Sequence, residues 1–354
     1  MCARRGAILI SRSNTVELVG ASASVLEDFP TLFVPDTLWQ TAFRDGVEFD
    51  SDWLGYVLSS PSIRRRLREL AAGTSGSMKK LTKPSVLGLG VLSPPKPEQQ
   101  QIAKVLAWCG RVLEATERLI EAKACRKRGL MQQLLTGKRR FKEFVKSTRR
   151  VDTRYGRFPL DWAAAHIGDI ADEVGEKNGG GHELPVLSCT KHRGLVNSLE
   201  YFGKRVFSAD TSGYKVVRRG DFAYATNHVE EGSIGYQGLH DVALISPMYT
   251  VFRTRAGVDH SFFFKLVKTE LYRHIFEVNT SGSIARRGGL RWDEFALIKV
   301  FLPTAPEQER IAAVLEACDR EIELLQKQLA ALKEQKRGLM QKLLTGEVRV
   351  RVKV

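Results

Sequence analysis

Apolar residues recur in alternating steps of four and three along two stretches of the chain. In the later stretch Ile311, Leu315, Cys318, Ile322, Leu325, Leu329, Leu332, Leu339 and Leu343 hold the series, and only Lys336 breaks it. In the earlier stretch Ile102, Leu106, Cys109, Leu113, Thr116, Ile120, Lys123, Lys127, Leu130 and Leu134 keep the same register with a more polar centre. A mean step of about 3.5 residues is the period of a helix that turns one seam toward a partner helix. Each stretch predicts a helix of roughly 38 residues, about 57 Å at 1.5 Å per residue. Pro97 and Pro306 suit a first helical turn, and Gly137 and Gly346 suit the stop. One apolar stripe on so long a helix needs cover. The economical cover is the other copy, packed antiparallel because a folded domain connects the two.

The two stretches are copies of one another. Pro97–Gly137 and Pro306–Gly346 align at a constant offset of 209 without a gap. Both open on Pro-Glu-Gln, both carry Lys-Arg-Gly-Leu-Met-Gln, and both close on Leu-Leu-Thr-Gly. About half of the aligned positions are identical, too many for chance over this length. The repeat extends into the flanking sequence. Gly6–Asn14 matches Gly220–Asn227 as a strand, and the segments around Phe33 and Phe43 match Ser246–Phe252. The helical pattern of Asp52–Leu70, which Pro61 interrupts, matches Asp259–Val278. The order is therefore domain, long helix, domain, long helix. We place a partial domain at 1–93, the first long helix at 94–140, a fuller domain at 141–303, the second long helix at 304–348 and a basic tail at 349–354. Nothing in 1–93 matches 151–217, so the first domain is expected to be cut at its front. The fold class expected is α+β: two α/β domains, the first truncated, separated by two long antiparallel coiled-coil helices in a pseudo-two-fold repeat.

Charge adds a partner class. The formal net charge is +15, and the excess is densest over 97–140, with ten basic and four acidic residues. A basic chain of this kind suggests a polyanion. Hydrophobic content of 43% with 27% charged residues is that of a soluble globular protein, with no apolar run of membrane length. The five cysteines form no CxxC or metal-like spacing, and the seven histidines are scattered. We expect a cytoplasmic protein without metal, cofactor or membrane partner. Catalytic signatures are missing where they would be visible. There is no Asn-Pro-Pro-Tyr or Asp-Pro-Pro-Tyr, no GxGxxG after a strand and no Walker loop.

With these residues in view, the chain resembles the DNA-specificity (S) subunits of type I restriction–modification systems. The resemblance covers residues 6–346. It rests on the two Pro-Glu-Gln starts, the two Leu-Leu-Thr-Gly exits, Phe158-Pro-Leu-Asp-Trp162 followed by His166-Ile-Gly-Asp-Ile170, and Gly220-Asp-Phe222. It implies two target-recognition domains, each reading half of a split DNA site, spaced by two helices that dock two methyltransferase subunits. It implies double-stranded DNA as ligand, restriction subunits reached indirectly, and no catalysis by the chain itself. Two readings stay open. In one the chain reads a bipartite site and scaffolds the enzyme subunits. In the other a truncated first domain leaves a half-site reader that self-associates or only scaffolds.

Candidate contacts follow from chemistry. The loop with Ser75, Ser77, Lys79 and Lys80 and the loop with Ser281, Ser283, Arg286 and Arg287 follow helices and combine glycine, hydroxyls and two cations, which suits phosphate contact. Lys191, His192, Arg193, Asn227 and His228, with Arg12 and Asn14 in the first domain, carry donors suited to base edges. For enzyme docking, the repeated exits offer Lys127, Arg128, Lys336, Arg337 and Lys342. Surfaces that grip identical subunits should stay alike while surfaces that read different half-sites diverge.

Overall fold

The computed structural model describes residues 2–44, 46, 48–73, 78–180, 183–281 and 289–351. The chain is α+β and forms two compact units, Met1–Glu121 with Glu323–Val354, and Ala122–Ile322. The division falls inside both long helices, Lys96–Leu134 and Ala305–Thr345, of 39 and 41 residues.

In the first unit Ile8–Ser11 is the centre of a three-stranded antiparallel sheet, flanked by Ser22–Ser24 and Leu38–Gln40. The third strand thus precedes Phe43 rather than including it. Beyond Gln40 the contact ends with a pair of bonds to Thr41, whose Oγ1 accepts from Ile8 N at 2.8 Å. Among the described residues Phe29–Phe33 pairs only with Cys2–Ala3, and all five of its residues are exposed. The helical stretch divides at Pro61 into Ser51–Ser59 and Pro61–Leu70, because proline has no N–H to continue the ladder. Trp53, Val57 and Leu67 from these helices close on Ile8, Ile10 and Val19, and on Ile102, Leu106 and Leu343 of the long helices.

The second unit repeats this plan with more strands. Asp221–Ala225 pairs with Tyr249–Thr254 and Ile234–Tyr236 in a four-stranded sheet completed by Ala171–Glu173. A second four-stranded sheet holds Val186–Thr190, Gly194–Asn197, Val242–Ile245 and Lys215–Arg218, with one parallel pair, Val186–Thr190 with Val242–Ile245. By its place between the second and third strands of the shared plan, Val242–Ile245 is the counterpart of exposed Phe29–Phe33. It is held on both sides and largely buried. The expected helix over 259–278 is two helices, His260–Val267 and Glu270–Ser281. Phe222, Tyr224, Phe252, Phe263, Phe276 and Phe295 form an aromatic core that also takes in Leu134, Leu135, Ile311 and Leu315 of the long helices.

All ten positions of each heptad series are buried or half-buried, so the seam read from the sequence is the covered stripe. The helices run antiparallel inside each unit. In the first, Lys333 Nζ meets Glu117 Oε1 at 2.8 Å. In the second, Lys123 Nζ meets Glu321 Oε1 at 2.5 Å, and Lys127 pairs with Asp319. The two pairs of the second unit account for Lys123 and Lys127 in an apolar series: their stems lie along the seam while their ammonium groups reach carboxylates of the facing helix. Lys336, the break in the second series, lies 5.9 Å from the Tyr56 ring centroid.

The Pro-Glu-Gln starts are structural anchors. Gln99 Oε1 accepts from Asp50 N at 2.7 Å, and Gln308 Oε1 accepts from Asp259 N at 2.9 Å. Asp50 and Asp259 in turn cap their helices by accepting from Trp53 N and Phe262 N. Every partner in one set lies 209 residues from its equivalent in the other. The glutamates make a reciprocal clasp. Glu98, at the start of the first helix, receives Arg349 from beyond the second, at 2.7 and 2.6 Å. Glu307, at the start of the second, receives Arg140 from beyond the first, at 2.8 Å on both oxygens.

Candidate nucleic-acid interface and helix exits

In the first unit, short strands Ser13–Asn14 and Lys79–Lys80 pair antiparallel, Ser13 opposite Lys80 and Asn14 opposite Lys79. Leu81 N donates to Arg12 O at 2.8 Å, which fixes the end of the loop against the end of the central strand. Thus Arg12, Asn14, Lys79 and Lys80, from separate parts of the sequence, come together. Lys80 is exposed, while Arg12, Asn14 and Lys79 are half-buried. Arg12 stacks over Trp39 at 5.8 Å, and Lys79 Nζ donates to Gly73 O at 3.0 Å. Ser75 and Ser77 lie outside the described residues.

The second unit repeats the device. Leu290 N donates to Thr226 O at 2.9 Å, the equivalent of Leu81 on Arg12, and Gly289 N donates to Asn227 Oδ1 at 3.2 Å. A Cβ on Gly289 would stand 2.0 Å from Thr226 O, so only glycine permits this approach. Ser283, Arg286 and Arg287 lie outside the described residues, as does the side chain of Ser281, which ends the helix Glu270–Ser281. Asn227, which accepts from Gly289, and His228 are both exposed.

Lys191, His192 and Arg193 form the exposed turn between strands Val186–Thr190 and Gly194–Asn197, with Arg193 over Tyr201 at 5.7 Å. Residues not singled out in the sequence tie this turn to the 228–232 loop. Lys268 Nζ donates to Lys191 O at 2.9 Å and to Gly232 O at 2.5 Å, and Arg273 Nε donates to Glu230 O at 3.3 Å. Burial lowers the Lys268 ammonium to about 8. Lys265, Lys268 and Arg273 join Lys127, Lys191 and His192 around a cavity of about 380 Å³, with Glu231, Glu270 and Asp319 also on its wall. His228, Glu230 and Glu231 present ligand-type atoms within 4.8 Å of one another at the surface.

The exits differ in availability. Arg128 is exposed. Arg337 pairs with Glu334 on its own helix, and Lys342 Nζ lies 3.6 Å from Glu347. Lys127 and Lys336 are half-buried in the seam, with the partners given above. Just past the first exit, Arg140 is almost enclosed. It meets buried Glu307 and also donates through Nη1 to Asp161 Oδ1 at 2.6 Å. Hydrogen bonds to Glu307 and Asp161 raise its pKa despite burial. Burial pushes the Asp161 carboxyl up, but the bonds from Arg140 and from Lys146 N outweigh it and hold the group below its ordinary value. The hydrogen bond from Arg349 likewise lowers the Glu98 carboxyl.

Residues 185–334 match the family model of the type I restriction modification DNA specificity domain. The chain is similar to the type I restriction enzyme MjaVIII specificity subunit of Methanocaldococcus jannaschii, 26% identical over 271 residues, covering 73% of this chain and 62% of that protein. It therefore spans about three fifths of the length of the curated relatives it matches. Its fold is similar to the type I restriction–modification S subunit of M. genitalium, with a TM-score of 0.55 and 16% identity over 97% of this chain and 83% of the other. It is similar also to the HsdS subunit of Thermoanaerobacter tengcongensis, with a TM-score of 0.53 and 19% identity over 98% of this chain and 82% of the other. The matched family model, the curated relatives and the solved structures are each described as a specificity domain or subunit of type I restriction–modification systems.

Proposed function

We propose that the chain is the non-catalytic, DNA-reading subunit of such a system and that it reads a bipartite site. Residues 1–93 and 141–303 are the two recognition domains, and 94–140 and 304–348 are the helices that set the gap between half-sites. The observation that carries this reading is the repeated loop anchor. In each unit a basic or glycine-bearing loop after a helix is hydrogen-bonded to the end of the central strand, at Arg12 in one and Thr226 in the other. Two equivalent, unlike surfaces on one chain are what a split site with two different halves requires. Arg12, Asn14, Lys79 and Lys80 serve one half. Lys191, His192, Arg193, Asn227, His228 and the 281–287 segment serve the other. The alike helix exits, with Arg128, Arg337 and Lys342 outward, dock two methyltransferase subunits, through which restriction subunits attach.

A second reading has its own support in the fully exposed strand Phe29–Phe33, whose counterpart is held on both sides. In it only the second unit reads DNA, and the chain self-associates or scaffolds. Footprinting of the chain assembled with its methyltransferase separates the two. A protected split site with two dissimilar halves is expected. A single protected half-site, or a palindrome of one half, would favour the second reading. Methyl transfer or cleavage by the purified chain alone would overturn both.

A further inference from the structure

In each unit a hairpin loop leaves the central strand and carries residues with donors suited to base edges. In the first unit it spans 12–20 and is closed by Ser11 N, which donates to Ala21 O at 2.8 Å. In the second it spans 226–232 and is closed by Ala225 N, which donates to Ser233 O at 2.9 Å. Each loop is tied at its outgoing end by the anchor described above, Leu81 N on Arg12 O and Leu290 N on Thr226 O. Each is tied again before its return by cations from a neighbouring helix. Arg64 Nη2 donates to Glu17 O at 2.8 Å, and its Nη1 donates to Val19 O at 3.0 Å. Arg273 Nε donates to Glu230 O at 3.3 Å, and Lys268 Nζ donates to Gly232 O. Asn14 lies between the two ties of the first loop, and Asn227 and His228 lie between those of the second.

The two arginines are repeat equivalents. Arg64 and Arg273 stand 209 residues apart, each three residues after the first residue of its helix, Pro61–Leu70 and Glu270–Ser281. Buried Ile63 and Leu67 flank the first, and buried Tyr272 and Phe276 flank the second. Both arginines are half-buried, whereas Arg65 on the same helix as Arg64 is exposed. The chemistry suits a mount. Three of the four bonds to the loops are partly buried, and carbonyls drawn from water need donors. A cation supplies them with bonds roughly twice as strong as neutral ones. Burial and the nearby Arg68 charge lower the pKa of Arg64, so its inward position is held against a solvation cost. The loops themselves differ in length and sequence. A common mount under unlike loops separates the task of holding a loop from the task of reading with it.

We infer that Arg64 and Arg273 are positioning residues of DNA reading, each setting the sequence preference of its own half-site by fixing the course of its loop without touching DNA. The side chains between the two ties then meet one set of base edges. Lys268 assists Arg273, and through its second bond, to Lys191 O, it joins the 191–193 turn to the same mount. The inference rests on the proposal that these loops read DNA. Loss of the mount lets a loop take other courses and relaxes discrimination between bases. Sequence-independent affinity stays, because phosphate contacts and the summed charge of the surface set it.

The chain assembled with its methyltransferase is footprinted, and duplexes with single base-pair changes in either half-site are then compared by competition anisotropy. In the parent a wrong base pair should weaken binding roughly tenfold. Arg64→Ala should shrink that penalty about fivefold at one half-site, and Arg273→Ala at the other. The half-site left untouched reports in each variant that the fold survives. Arg64→Lys should restore most of the penalty, since one ammonium can serve two carbonyls, as Lys268 does. Arg65→Ala removes the same charge from the exposed side of the helix and should leave both penalties as they were. Affinity for unrelated duplex should fall less than about threefold in every variant. Full discrimination in both Arg64→Ala and Arg273→Ala, or a relaxation shared by both half-sites, would overturn the inference and leave the DNA-reading proposal standing. A parent that discriminates at neither half-site would overturn that proposal, and this inference with it.

Discussion

At the scale of residues, the clasp arginines show how equal sequence positions acquire unequal weight. Arg140 and Arg349 are repeat equivalents, yet the first is enclosed by two carboxylates and the second mostly open. Removing Arg140 strands a buried Glu307, and leaving one buried charge unpaired costs about 3–5 kcal/mol. Arg140→Ala should therefore lower the denaturation midpoint of the second unit markedly, read by Trp162 fluorescence, whereas Arg349→Ala should shift the first unit less. The clasps also make an acid signature. Glu98 and Asp161 have carboxyl pKa values below those of the unfolded chain. Their contribution is complete above the unfolded carboxylate range, about pH 4–4.5, and is lost as pH falls through the folded values. Denaturation midpoints at pH 7, 4 and 3 should show that loss in the parent protein, and less of it in Arg349→Ala and Asp161→Asn. Such pairings were invisible in the sequence. Pro-Glu-Gln stood out as a start signal, but its glutamate is answered by an arginine 251 residues away in one case and 167 in the other.

At the scale of elements, the helices were the most legible part of the chain. A ten-step heptad series over some 40 residues is dictated by which side of a helix is covered, and every step of it is covered. The same logic ranks substitutions. Leu343→Ala, at 5% exposed, should cost about 2–5 kcal/mol, while Leu324→Ala, off the seam at 66% exposed, should stay within about 0.5 kcal/mol of the parent in chemical denaturation. Short elements were less legible. The strand placed at Phe43 lies at Leu38–Gln40, because its position is set by pairing with Ile8–Ser11 rather than by its own apolar residues. The helix expected over 259–278 divides near Lys268, whose ammonium turns inward to carbonyls of two loops. Local periodicity does not report such a tertiary demand.

For the whole molecule, the division of labour between loops and helix ends is the claim that most needs testing. Arg12, Lys79 and Lys80 were proposed from chemistry alone, and the fold brings them together, while Asn227 accepts from Gly289, a residue not proposed. The basic cavity around Lys268 was not proposed, since it is assembled from five separate segments. Replacing Arg286 and Arg287 by alanine should weaken DNA binding by roughly 1–3 kcal/mol if either contacts a base, and leave assembly with the methyltransferase intact. Charge reversal at Arg337 and Lys342 should impair assembly and spare DNA affinity. Fluorescence anisotropy on cognate duplex and co-purification with the methyltransferase read the two arms. A loop variant that loses its enzyme partner while keeping its DNA affinity would refute the division.

The reciprocal clasp carries a consequence for how such a chain can change over generations. From Glu98 to Arg140 and from Glu307 to Arg349 the sequence distance is the same, and each helix is tied at its start to the far end of the other. A seven-residue insertion in one helix would slide it against its neighbour and pull both arginines from their glutamates at once. The same insertion made in both would restore every pairing. Length in this molecule is inherited in pairs: intermediates with one long and one short helix are the unstable step, and surviving relatives should differ by matched changes.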